Sequence, residues 1–187
     1  NQNPAGPIDP TPTIAMVGLI ERAEHITTQW FKDEGDAIIL LGEPADNTDP
    51  LASLGGSAYL QVIHDQKTGT PPRCDLDLAK TLHTTLLGLI QSGVVKSAHD
   101  CSEGGLAVCL AESCISQLAG RETPRLIGAT VDFSTVAASH ESADPNVPQP
   151  ALSRDAATLR LDALLFGEAQ SRIVISTSAI DAVKVIE

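Results

Sequence analysis

Two spacings of hydrophobic positions divide this chain. Short apolar runs rich in Ile, Val and Leu predict strands near residues 14–20, 37–42, 58–63, 93–98, 126–132 and 172–177. Elsewhere the apolar positions follow a helical repeat. Ala79, Leu82, Leu86, Leu89 and Ile90 form one stripe of a helix that Asp75 can cap and that runs to about Ser92. A second helix is predicted from about Gly104 to Gln117, with Leu106, Leu110, Ala111 and Cys114 turned inward. A third is predicted within 151–166, and Ser178 can cap the start of another that the end of the sequence cuts short. Strands mixed with helices of this length imply a layered α+β or α/β fold. Residues 1–13, rich in proline and polar groups, read as a linker or extended arm ahead of a domain spanning 14–187. The polar stretch at about 134–150 has the composition of a surface loop and looks like an insertion.

Composition narrows the class. A chain of 187 residues suits one domain with a full core. Only 3% of residues are aromatic, so Leu, Ile, Val and Ala must fill the core, which suits helices packed on a sheet. The formal charge of −12 argues against nucleic acid as a partner. It also makes a phosphorylated ligand awkward unless positive charge or magnesium comes from elsewhere. Neither a secretory signal nor a run of 18 apolar residues is present, so nothing points to export or to a membrane. The cysteines at 74, 101, 109 and 114 match neither zinc-ligand nor Cys-x-x-Cys spacing, and read as structural thiols in a reducing, cytoplasmic setting.

The chemistry concentrates in the turn His99-Asp100-Cys101-Ser102-Glu103-Gly104-Gly105, which joins an apolar strand to the second helix. Ser102 is the expected N-cap, and Gly104 and Gly105 would let a bulky group approach the backbone. A helix start offers unpaired amides and a positive dipole end to a phosphate. Gly55-Gly56-Ser57 is either a tight turn before a strand or a second phosphate contact. His99 reads as a satisfied buried histidine. Asp100 either accepts hydrogen bonds from its own turn or serves a ligand. Glu168 and Arg172 read as a surface ion pair, although Arg172 could also meet an anion. No Gly-x-x-x-x-Gly-Lys-Ser/Thr phosphate loop occurs.

The residue string from His99 to Ala107 resembles the His-Asp-x-Ser-Asp/Glu-Gly-Gly-Leu-Ala signature of the PurL-type phosphoribosylformylglycinamidine synthase family. Four further segments carry the same resemblance in the same order: Pro10-Thr11-Pro12 ahead of Ile14-Ala15-Met16-Val17-Gly18; the Gly35–Glu43 and Leu54–Leu60 runs; and Leu165-Phe166-Gly167-Glu168-Ala169-Gln170-Ser171-Arg172. Together they span roughly residues 10 to 178. The resemblance implies a three-layer α/β/α, PurM C-terminal-like domain with a mixed sheet, related to aminoimidazole ribonucleotide synthetase. It implies part of an ATP-dependent C–N ligase of purine biosynthesis, which activates a formamide oxygen by phosphoryl transfer and lets glutamine-derived ammonia attack.

This chain looks like the last C-terminal-type copy in such an enzyme, without synthase activity alone. Its implied partners are N-terminal-type domains and a glutaminase domain or subunit. The resemblance places Asp100 and Glu168 where the related copy has magnesium ligands, and offers Gly55, Gly56, Ser57, Ser102, Gly104, Gly105, Gln170 and Arg172 as substrate or phosphate contacts. Ala169 stands where the family has a serine, which removes one hydroxyl. The family has an unreactive aliphatic residue at position 101, so Cys101 is not read as a nucleophile. Two other readings compete with a working copy. One is a non-catalytic docking module of the same enzyme. The other is a different ATP-using member of the superfamily, serving hydrogenase maturation or selenophosphate synthesis.

Overall fold

The computed structural model describes residues 2–3, 6–7, 12–42, 50–132 and 161–186. Three strands make the central sheet: β1 (Ala37–Leu41), β2 (Ser97–Asp100) and β3 (Ile173–Thr177). β3 lies in the middle and pairs antiparallel with both neighbours, so that Ile175 faces Ile39 on one side and Ala98 on the other. All five residues of β3 are buried. A strand covered on both faces cannot use alternating polarity, which is why Ile173-Val174-Ile175 reads as one continuous apolar run.

Successive side chains of the sheet feed two separate cores. Ile38, Leu40 and Val174 join Phe31, Leu106, Cys109 and Ile127 on one face. Ile39, Leu41, Ile173 and Ile175 join Leu82, Val95 and Leu86 on the other. The helices follow in chain order as α1 (Pro50–Leu54), α2 (Ala58–His64), α3 (Leu76–Gln91), α4 (Gly105–Ile115), α5 (Gln117–Gly120), α6 (Leu161–Phe166) and α7 (Ala182–Ile186). Leu82 and Leu86 bring α3 to one face of the sheet, and Leu106 and Cys109 bring α4 to the opposite face. The result is a three-layer α/β/α arrangement within the α+β class. Among the described residues the three strands pair antiparallel, and a single parallel bridge joins Thr28 to Ser97 at the outer edge of β2.

The capped helix forms as its spacing predicts, with Asp75 accepting from the amides of Asp77 and Leu78 at 3.0 Å. At the C-terminal end Ser178 accepts from the Asp181 amide at 3.2 Å, ahead of α7. Other expectations change. Residues 58–63 form a helix and not a strand. The Ser57 hydroxyl accepts from the Leu60 amide, and Asp65 at φ 52° closes the far end, so capping at both ends overrides the β-branched pair Val62-Ile63. The strand expected at 93–98 begins later, at Ser97, because Gly93 at φ 77° still belongs to the turn after α3. Residues 14–20 and 126–132 have no ladder partner among the described residues. α4 is capped by Gly104 at φ 80° and not by Ser102, and it breaks at Ser116 before α5. Ala111 faces solvent, and Cys109 takes the inward position instead. The helix expected within 151–166 is described only at Leu161–Phe166, and the polar loop at 134–150 lies outside the described residues. No helix among the described residues is long and apolar enough to cross a membrane.

Candidate functional site: a glycine-lined pocket over a buried arginine

The segment between α6 and β3 is the hub of the site. α6 ends as the Gly167 amide donates to the Ala163 carbonyl at 2.9 Å, and the Glu168 amide then donates to Ser53 at 2.8 Å. These bonds draw residues 165–168 between α1 and the start of α4. Gly105 makes that passage possible. At φ 66°, its α-carbon faces the carbonyls of Gly167 and Leu165, and a β-carbon would lie only 2.6 Å and 2.9 Å from them. Phe166 stacks on Tyr59 with ring centroids 4.8 Å apart, which fixes α2 to the same segment.

Glu168 then ties two helix starts together. Its Oε1 accepts from the Ala58 amide at the head of α2 and from the Gly104 amide at the head of α4, both at 2.8 Å. A carboxylate placed where helix dipoles present unpaired N–H groups does locally what a bound phosphate would do. The surface ion pair expected between Glu168 and Arg172 does not form. Arg172 is 2% exposed and donates from Nη1 to the Gly167 carbonyl at 3.1 Å.

A pocket of about 460 Å³ opens beside this hub. Its wall brings together Gly55, Gly56, Asp100, Ser102, Glu168, Gln170 and Arg172 from the three separate stretches singled out in the sequence. That volume falls within the range of small-molecule sites. Ser57, Gly104 and Gly105 lie behind the wall. Ser57 is buried as the cap of α2, and Gly104 gives its amide to Glu168. The glycine pair at 55–56 also has a structural cause. A β-carbon on Gly55 would meet the Thr70 carbonyl at 2.0 Å, and the Gly56 amide donates to Thr68 at 2.9 Å. Sequence reasoning missed Pro71, Pro72, His83, Glu103 and Ser171, which also line the pocket. Glu103 and Ser171 stood inside motifs already singled out, and His83, a polar group on α3, was a further sequence signal. Ser171 adopts φ 58°, a conformation that serine rarely takes and that residue type alone does not reveal.

Arg172 is the unusual group in the wall. Its Nε and Nη2 are buried without a hydrogen-bond partner among the described residues. Burial pushes the guanidinium down from its ordinary value, and the ionisable groups that partly offset this are the thiols of Cys101 and Cys109. An arginine remains charged under such a shift. A buried cation with two unused donors and no carboxylate partner among the described residues is costly to the fold, and an anion would relieve that cost.

At the mouth, Asp100 is exposed and accepts from the Ser102 hydroxyl. That bond is the main reason why its carboxyl sits below the usual aspartate range, helped by neighbouring His99. His99 is satisfied, with Nε2 2.7 Å from Glu112. Because the Asp100 pKa is lowered in the folded state, its contribution to stability is present above the ordinary aspartate value and is lost as pH falls through the folded value. Ser102→Ala should therefore move the Asp100 titration midpoint upward, read from its carboxyl carbon by NMR. It should also weaken the protein's resistance to acid. An unmoved midpoint would mean that the hydroxyl does not hold the carboxylate.

Magnesium, which takes about six oxygen ligands, finds little here. Asp100 already accepts from Ser102, and Glu168 Oε1 is occupied by two amides. Among the described residues, no group of three His, Cys, Asp or Glu side chains is placed to hold a metal. Among the described residues, the pocket wall does not by itself supply the ligand set of a metal ion.

The fold and the pocket define a class. It is a three-layer α/β/α domain in which a glycine-paired turn and a Phe-Gly-Glu hub share one pocket. The sequence matches the family described as AIR synthase related protein, C-terminal domain, over residues 33–187, and the chain belongs to that family. It is similar to the phosphoribosylformylglycinamidine synthase subunit PurL of Synechococcus sp. (strain JA-2-3B'a(2-13)), at 46% identity over 169 residues, covering 90% of this chain and 18% of that protein. The corresponding subunit of Anaeromyxobacter dehalogenans (strain 2CP-C) is 36% identical over 189 residues, covering 100% of this chain and 21% of that one. Among solved structures, T. maritima PurL complexed with FGAR matches with a TM-score of 0.51 at 15% identity, covering 88% of this chain and 23% of that chain, which shows the shared fold. The chain spans about a fifth of the length of these relatives.

Proposed function

We propose that this chain is a C-terminal-type domain of a phosphoribosylformylglycinamidine synthase, and that its pocket holds the phosphate of a nucleotide or ribonucleotide as an auxiliary site. The parent enzyme would convert formylglycinamide ribonucleotide, ATP and glutamine-derived ammonia into the amidine, ADP and phosphate. N-terminal-type domains and a glutaminase are its proposed partners, in the cytoplasm. The observation that carries the reading is Arg172, a buried guanidinium in the pocket wall with two nitrogens that have no partner among the described residues. An anion at that point would accept two charge-assisted hydrogen bonds in an interior where water and salt screen little. The acidic groups at the mouth, Asp100 and Glu103, are exposed to solvent, where water and salt weaken their repulsion.

The auxiliary role follows from Glu168. Because its carboxylate serves the amides of Ala58 and Gly104, the start of α4 is already neutralised from within. The binding role thus moves from Gly104, Gly105 and Ser57 to Arg172, Gln170, Ser102 and the Gly55-Gly56 backbone. We keep Asp100 as the carboxylate nearest the mouth that could meet a magnesium ion carried in by a nucleotide, and assign Glu168 to the hub.

The 187-residue chain alone should release no ADP when given formylglycinamide ribonucleotide, ATP and ammonia. In the full-length synthase, Arg172→Met should weaken nucleotide binding at this pocket. Measurable turnover by the chain alone would refute the auxiliary assignment, and unchanged binding in the variant would refute the pocket.

A further inference from the structure

Eight residues separate Cys101 from Cys109, a spacing that fits no redox motif, yet the fold brings the two side chains together. Cys101 follows β2 directly and Cys109 lies in α4, and both are buried in the core on one face of the sheet. Both are free thiols. Their sulfurs are in hydrogen-bonding contact, with the Cys109 thiol as donor to Cys101. Cys109 Sγ also lies 3.6 Å from the His99 carbonyl, so its proton has two acceptors within reach.

Access and charge set this pair apart from inert core thiols. Cys101 is part of the pocket wall, and Cys109 stands behind it. The Cys101 amide donates to the Arg172 carbonyl at 2.9 Å, and the guanidinium charge acts on both sulfurs. A thiol open to a cavity, beside a cation and backed by a second thiol, is placed for oxidation and for resolution as a disulfide. The other cysteines lack that setting. Cys74 is exposed, Cys114 is half-buried, and neither belongs to the pocket wall.

We propose that Cys101 and Cys109 are a redox-active dithiol, which a peroxide entering the pocket oxidises to a reversible disulfide that bolts the turn after β2 to α4. The Cys101 sulfur attacks one oxygen of hydrogen peroxide and the O–O bond breaks. The thiol proton leaves with the second oxygen as water, and Cys101 becomes a sulfenic acid. The Cys109 sulfur then attacks Cys101, the S–O bond breaks, and the Cys109 proton leaves with that oxygen as a second water. Two electrons pass from the sulfurs to the peroxide, and a small-molecule thiol restores the pair. Neither step needs an anion in the pocket.

Oxidation of the 187-residue chain with a slight excess of hydrogen peroxide tests this, with the remaining thiols then alkylated in denaturant. Cleavage after Lys, Arg and Glu puts each of the four cysteines on its own peptide, Cys101 in Ser97–Glu103 and Cys109 in Gly104–Glu112. Those two peptides should appear joined, two hydrogens lighter than their sum, and dithiothreitol should separate them. Exposed Cys74 should react roughly tenfold more slowly than Cys101. In Cys109→Ala, with the fold checked by circular dichroism, Cys101 should stop at the sulfenic acid and be trapped by dimedone. Alkylated, unoxidised Cys101 and Cys109 in a sample whose Cys74 has reacted would overturn the proposal. So would a bond from either of them to Cys114, which would mean that the core opened before the sulfurs were oxidised.

Discussion

Gly105→Val should cost this domain more than about 3 kcal/mol, a large fraction of the stability of an ordinary domain. Two independent penalties combine. At φ 66° the residue sits in the left-handed region, which a β-branched side chain enters only at a cost of order 1–3 kcal/mol. The added β-carbon would also lie 2.6 Å from the Gly167 carbonyl and 2.9 Å from that of Leu165. Those are backbone atoms of the hub, and they cannot rotate aside as a side chain could. Relief would require the 165–168 segment to move away from α4, which would pull Glu168 from the Gly104 amide and dismantle the pocket. Denaturant unfolding monitored by circular dichroism measures the loss directly. A midpoint close to that of the starting protein would show that the close passage under Gly105 is not a constraint on the fold.

Glu168→Ala should be the second most damaging change, at about 2–4 kcal/mol. The substitution leaves the Ala58 and Gly104 amides without an acceptor in a half-buried place, and each orphaned donor costs about 1–3 kcal/mol. It also removes the negative charge that faces the starts of α2 and α4. Glu168→Gln keeps an acceptor oxygen for both amides, so it should lose much less. The ratio between the two variants is the informative quantity. If alanine and glutamine were equally mild, Glu168 would be a wall residue and not a tie between helices. Thermal unfolding of the two variants beside the starting protein decides the point.

Both arguments start from features whose positions were legible in the sequence and whose roles were not. The sequence placed Gly55-Gly56, the Asp100–Ser102 turn and Glu168–Arg172 as three motifs, and the fold gathers residues from all three around one pocket. The strands at 37–42 and 172–177 were readable because an apolar run with few breaks has one comfortable home, the middle of a covered sheet. Asp75 and its leucine stripe were readable because cap and periodicity agree.

Residues 58–63 misled because Val62 and Ile63 favour a strand, whereas the helix is decided by Ser57 and Asp65 at its two ends. Glu168 and Arg172 misled for a different reason. They read as a surface ion pair, but the chain between them is not helical, and Ser171 at φ 58° separates the side chains into different surroundings. Long-range partners such as Ala58 for Glu168 leave no local trace, and neither does the burial of Arg172.

Arg172 therefore carries the central claim, and a single comparison tests it. Calorimetric titration of the 187-residue chain with magnesium-ATP should give saturable binding. Arg172→Met should weaken that binding at least tenfold, or about 1.4 kcal/mol. Stability should change by no more than about 1 kcal/mol, because removing an uncompensated buried cation offsets the lost bond to Gly167. Equal affinity in the two proteins, or no binding by the starting chain, would contradict the account.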